Sequence, residues 1–145
     1  MKKYLKILCL FLFFNFVSCS VFAEIKIPYI ISGNITFEES EKYDFLGLNF
    51  RLKNKSPKKM NKVTLVFYVF DENGEPPLCV KNHIVLTLNC EIEPGEILED
   101  CISLDKYVFN LDSEYYEIDY LYVSQIVYED ETTWNDPFGN YMSYW

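Results

Sequence analysis

The sequence predicts an all-β chain: a single antiparallel sandwich of about seven or eight strands behind an N-terminal export segment. Three observations lead there. Apolar residues recur at period two in several runs, as a strand with one buried face requires. Turn residues separate those runs at short intervals, and no strand–helix alternation that would build a parallel sheet interrupts them. Finally, half of the 145 residues are hydrophobic, with 12 Phe, 12 Tyr and 2 Trp against 5 Gly and 6 Pro, which excludes a disordered or collagen-like chain. The formal charge of −9 argues against a nucleic-acid partner, which needs clustered cations to replace phosphate counterions.

Lys2, Lys3 and Lys6 precede an apolar run over residues 7–17, broken only by Asn15. That run is about half the ~20 residues a membrane-spanning helix needs, and small residues follow it, so residues 1–23 read as a secretory signal peptide. Two processing sites compete. Val21-Phe22-Ala23 has small side chains at the positions signal peptidase inspects, and favours cleavage after Ala23. Phe16-Val17-Ser18-Cys19 resembles the lipobox of bacterial lipoproteins, which implies lipidation at Cys19. Phe16 departs from that pattern, where Leu is usual. The mature domain is then 24–145. It is more acidic than the whole chain because the leader carries three lysines and no acid, and it holds no second apolar run long enough to span a bilayer. The expected location is the periplasm or the cell exterior, free or envelope-anchored.

Within the mature domain Leu46, Leu48, Phe50 and Leu52 alternate with Gly47, Asn49 and Arg51, a half-buried strand. Val63, Leu65, Phe67 and Val69 alternate with Thr64, Val66, Tyr68 and Phe70; apolar on both faces, that strand is expected at the centre of a sheet. Ile84, Leu86, Leu88, Cys90 and Ile92 continue the pattern, opposed by His83, Thr87, Asn89 and Glu91. Residues 118–128, rich in β-branched and aromatic side chains, form another long strand. Asn54-Lys55-Ser56-Pro57, Asp71-Glu72-Asn73-Gly74 and Pro94-Gly95 are turns; in the last, Pro fixes φ and Gly accepts a positive one. Residues 105–116 read as a loop with a short helical turn, and Asp136-Pro137-Phe138-Gly139 ends the last strand. The strand number and spacing are those of an immunoglobulin-like sandwich.

Phe67-Tyr68-Val69-Phe70-Asp71 followed by Gly74 resembles the F-x-L-Y-D domains of exported bacterial proteins, with Val69 for Leu and Phe70 for Tyr. Asn54 before a polar turn and Pro94-Gly95-Glu96 match further features of those domains. The resemblance spans roughly residues 25–104. It implies an immunoglobulin-like fold outside the cytoplasm and a binding or structural role, and it brings no catalytic residues.

Candidate chemistry is sparse. Cys79, Cys90 and Cys101 remain after cleavage at Ala23, an odd number for an oxidising compartment. Were the strands around Glu93-Pro94-Gly95-Glu96 a hairpin, Cys90 would lie diagonal to Cys101 and could pair with it; three buried thiols are the alternative. No C-x-x-C supports redox catalysis, and the wide thiol spacing does not suit zinc. His83, the one histidine, has no nucleophile motif beside it. Carboxylates at 38–41, 71–75 and 129–131 read as solvated turns rather than a calcium site. No enzyme activity, cofactor or metal is expected.

The C-terminal third is crowded with Tyr115, Tyr116, Tyr120, Tyr122, Tyr128, Trp134, Tyr141, Tyr144 and Trp145. In the strand over 118–128, Tyr120, Tyr122 and Tyr128 share one parity, Leu121, Val123 and Val127 the other. Were the aliphatic set to face the core, the tyrosines would form a stripe toward solvent, suited to a protein or glycan partner. The competing reading is that the C-terminal tail folds over the stripe. Tyr120, Tyr122, Tyr128 and Trp134 are the binding candidates. The alternative function is a structural or envelope-associated protein without a small-molecule site.

Overall fold

A computed structural model describes residues 26–38, 45–77, 82–107 and 115–145. The leader, Cys19 and Cys79 lie outside the described residues. Seven strands follow in order: β1 Tyr29–Glu38, β2 Phe45–Asn54, β3 Met60–Asp71, β4 His83–Ile92, β5 Ile97–Ser103, β6 Tyr116–Tyr128 and β7 Thr133–Asn135. They form a three-stranded sheet, β1-β2-β5, and a four-stranded sheet, β4-β3-β6-β7. Every strand pair is antiparallel, and no helix occurs among the described residues.

The period-two runs become the core. Leu46, Leu48, Phe50 and Leu52 of β2 face Val63, Leu65, Phe67 and Val69 of β3, all buried in one cluster with Ile84 and Leu86 of β4. Apolar on both faces, β3 pairs with β4 on one side and β6 on the other, the central place its sequence predicts. At the seam where the sheets meet, β1 presses on β6. A Cβ on Gly33 would come within 2.7 Å of Leu121 Cδ2 and 3.0 Å of the Asn49 carbonyl, so only glycine allows this approach. Gly33→Ala is expected to lower stability by about 1–3 kcal/mol through forced repacking, read as a shift of the urea midpoint at constant slope.

The turn at Glu93–Glu96 does not make a hairpin. Its Glu96 N–H donates to the Glu93 carbonyl at 3.0 Å, and Gly95 takes φ +85°, but it carries the chain from the four-stranded sheet into the three-stranded one. Cys90 on β4 and Cys101 on β5 therefore sit in different sheets, Cys101 opposite Asn49, and the Cys90–Cys101 disulfide does not form. Cys90 keeps a free, half-buried thiol, and burial pushes its pKa up to about 11.

Two sheet-to-sheet connections meet at Asn54, a fully buried polar residue. Its Nδ2 donates to the Lys58 and Ile92 carbonyls at 2.8 and 2.9 Å, and its Oδ1 accepts Ser56 N–H at 2.8 Å and Ser56 Oγ–H at 2.7 Å. Its backbone reaches the other turn, N–H to the Glu96 carbonyl at 3.0 Å and carbonyl from Gly95 N–H at 2.8 Å. Asn54 and Pro94-Gly95-Glu96, distant in sequence, thus form one bolted corner.

After β7 the chain turns back across the sandwich. Asp136, buried, accepts Asn140 N–H and Tyr141 N–H on its carboxylate at 2.9 and 2.8 Å, while its own N–H donates to the Ser124 carbonyl. Tyr144 then bridges Ile31 in parallel, with Ile31 N–H donating to the Ser143 carbonyl at 2.9 Å.

Candidate aromatic binding face

Strand β6 does not keep one parity. Its register against β3 shifts three times, and at two of these, opposite Thr64/Leu65 and opposite Val66/Tyr68, the extra residue lies in β6 and turns the following side chains to the other face. Tyr116 and Ile118 pack inward, then Leu121 and Val123, then Ile126 and Tyr128. The expectation that Val127 faces the core is thereby corrected: Ile126 does so, and Val127 is only half-buried.

The predicted binding residues consequently part company. Tyr128 joins the core at 8% exposure. Tyr122, on the outer face, is also 8% exposed because the tail lies over it: Gly139, at φ +67°, comes so close that a Cβ there would sit 3.1 Å from the ring, and Tyr122 Oη donates to the Pro137 carbonyl at 3.3 Å. Burial, then Tyr68, then Asp136 raise the Tyr122 pKa. Trp134 is half-buried, edge-on to Tyr29 at 5.6 Å. Tyr120 alone of the four stands exposed, at 56%.

Tyr120 owes that position to the extra residue opposite Val66/Tyr68. Its backbone sits at φ +51°, a left-handed conformation that a tyrosine enters at a cost of about 1 kcal/mol, and its N–H donates to Asp119 Oδ1 at 2.8 Å. The ring stands edge-on to Tyr68 at 6.0 Å, and Tyr68 stacks on His83 at 5.1 Å. Three rings from β3, β4 and β6 thus share one surface.

On its other side Tyr120 borders the β1/β6 seam. A hollow of about 210 Å³ is lined by Ser32, Gly33, Asp119, Tyr120 and Tyr144 among others. A neighbouring one of about 490 Å³ follows β1 past Gly33, Asn34 and Ile35 along Tyr115, Glu117 and Ile118. Tyr115 Oη donates to Glu117 Oε1 at 2.8 Å, which raises the Tyr115 pKa. Partial burial and then Asp119 raise that of Tyr144. Round the corner, Arg51 pairs with Glu99 at 2.6 Å and lies over the Trp145 ring at 4.9 Å. Half-exposed rings, carboxylates and one engaged guanidinium are gathered here.

The sequence reading does not single out Asp119 and Gly33, and names Tyr68 and Tyr144 without choosing them as binding residues. For Tyr68 the signal existed, an aromatic on the outer parity of a central strand. For Tyr144 nothing local foretells that the tail returns to β1. Among the described residues no group of three or more His, Cys, Asp or Glu could hold a metal ion, and no helix is long and apolar enough to cross a membrane.

The class so defined, by the described residues, is a two-sheet, seven-stranded antiparallel β domain with three rings sharing one outer surface. No protein-family model matches the chain, and no curated protein matches it. Among solved structures it is similar to a hypothetical protein from Peptoclostridium difficile 630, with a TM-score of 0.56 at 12% identity over 77% of this chain and 88% of that one. At that identity the likeness concerns the fold.

Proposed function

We propose that the mature chain is an exported, non-catalytic immunoglobulin-like module that binds a protein or glycan through the surface around Tyr120. The observation that carries this reading is a tyrosine held half-bare in a costly backbone conformation, while Tyr122, two residues along the strand, is covered by the tail. Strain of this kind persists where the surrounding structure over-determines it, often at a working surface. The strand order supports the immunoglobulin-like part: it is that of the constant-type domain with the fourth strand moved to the opposite sheet. Export rests on the leader at residues 1–23, and an intact mass beginning at Glu24 from a periplasmic or culture fraction is the expected product.

Tyr120→Gly separates binding from folding. Glycine relieves about 1 kcal/mol of backbone strain and forfeits a ring contact with Tyr68 of similar size, so the melting temperature should hardly move. Affinity for a partner identified from envelope extracts or a glycan array should fall at least about tenfold. Undiminished affinity in a folded Tyr120→Gly protein rules this surface out.

A further inference from the structure

We infer that the β1/β6 seam receives an extended, lysine- or arginine-bearing segment of a partner protein, which adds as a strand to the outer edge of β1. This rests on the binding-module reading and names the partner chemistry of the same surface.

Backbone geometry makes the first part of the case. β1 pairs with β2 without a register shift from Tyr29 to Glu38, so its amide groups alternate strictly between the β2 side and the far side. Ile31 N–H points to the far side, where it donates to the Ser143 carbonyl. Gly33 and Ile35 share that parity, so their N–H groups face away from β2, and both residues line the hollow beside Tyr115 and Glu117. The tail thus shows how this edge is used: at Ile31 it lies beside β1 in parallel, and one and two pairs further on the edge is flanked by a hollow large enough for a continuing strand. Strand addition of this kind draws affinity from main-chain hydrogen bonds and specificity from alternate side chains.

Charge complementarity makes the second. Glu117 and Asp119 line the two hollows together with Tyr115, Tyr120 and Tyr144. Around the corner Glu99 and Asp100 line a third hollow with Arg51, itself paired to Glu99. Carboxylates interleaved with half-exposed rings attract an ammonium or guanidinium group both by charge and through the ring faces, and they repel acidic chains. The whole chain is acidic as well, at −9, so approach of a basic partner is steered from a distance.

The test is calorimetric titration of the mature protein with a blocked peptide of alternating lysine and threonine, and with its glutamate counterpart. The lysine peptide should bind, weaken as salt is raised, and slow hydrogen exchange at the Gly33 and Ile35 amides. Glu117→Gln with Asp119→Asn keeps acceptors for Tyr115 Oη and Tyr120 N–H, so the fold should hold while affinity falls about tenfold or more. Equal binding of the glutamate peptide, or binding without added protection at Gly33 and Ile35, overturns the inference. So does Tyr120-dependent binding of a neutral glycan with no peptide binding, an outcome that leaves the module reading standing. Lysine-peptide binding indifferent to Tyr120→Gly would instead count against that reading's placement of the surface.

Discussion

Asn54→Ala should be the most damaging single substitution outside the apolar core, costing about 3–4 kcal/mol. The side chain makes four hydrogen bonds at full burial. Its removal strands the Ile92 carbonyl and the Ser56 N–H and leaves the Lys58 carbonyl with only Ser56 Oγ–H, and each buried group left without a partner costs about 1–3 kcal/mol where water cannot enter. In a domain of this size that loss lowers the melting temperature by on the order of 10 °C. Asn54→Asp is the sharper diagnostic. It retains an acceptor for Ser56 yet sets a carboxylate against two carbonyl oxygens, so its deficit should grow as pH rises through the carboxylate range. A thermal melt that moves by less than about 2 °C for Asn54→Ala would show that the corner is not the bolt its geometry implies.

Tyr29→Phe should remove about 1–3 kcal/mol and flatten the alkaline limb of the stability curve. The Tyr29 hydroxyl sits between the layers, accepting Val123 N–H at 3.2 Å and donating to the Tyr141 carbonyl at 3.4 Å. Phenylalanine leaves that buried N–H without an acceptor. Burial first, opposed by the Val123 hydrogen bond and reinforced by Asp136, raises the Tyr29 pKa to about 12 from 10.0. Because the folded state holds the proton more tightly than the unfolded chain, this contribution is fully present below pH 10 and is lost as pH climbs through 12. Two pKa units correspond to about 2–3 kcal/mol. Cys90, raised to about 11, acts in the same direction, so Tyr29→Phe should soften the alkaline decline without abolishing it. Urea midpoints across pH 9 to 12, a span set by these ~10 to ~12 values, read the difference between the two proteins. Parallel curves would mean that the hydroxyl is not enclosed.

What the sequence could and could not disclose follows from the range of the forces involved. The alternation in β2, β3 and β4 is local, and burial enforces it: slipping Leu48 or Leu65 by one position would turn a whole apolar row to solvent. Those strands and the central place of β3 were therefore legible. Strand β6 was not, because two extra residues in it, opposite Thr64/Leu65 and Val66/Tyr68, reset its parity, and an extra residue leaves no mark in a run where both parities carry apolar or aromatic side chains. Treating residues 118–128 as one uninterrupted period put Tyr128 with Tyr120, although Tyr128 is a core residue. The Cys90–Cys101 pairing failed for a related reason. Pro94-Gly95 fixes a tight turn but not whether its flanking strands stay in one sheet, and here the partner of β4 is β3 while that of β5 is β2.

The surface around Tyr120 was half legible. Crowded aromatics announced a covered or binding surface. Which rings the tail hides depends on Asp136 holding the turn at Asn140 and Tyr141, and on Gly139 closing over Tyr122, contacts set by tertiary packing. In the sequence alone Asp136 marks only a strand-ending turn. Asn54 and Pro94-Gly95-Glu96, noted separately as points of resemblance, gain a common physical reason in the corner they build.

Tyrosine nitration of the native mature protein, mapped residue by residue by mass spectrometry, tests the claim beneath all of this: that the tail covers Tyr122 while β6 displays Tyr120. Tyr120, Tyr115 and Tyr144 should react quickly, and Tyr29, Tyr122 and Tyr128 only after unfolding. Tyr122 or Tyr128 reacting as fast as Tyr120 in the folded protein would contradict it.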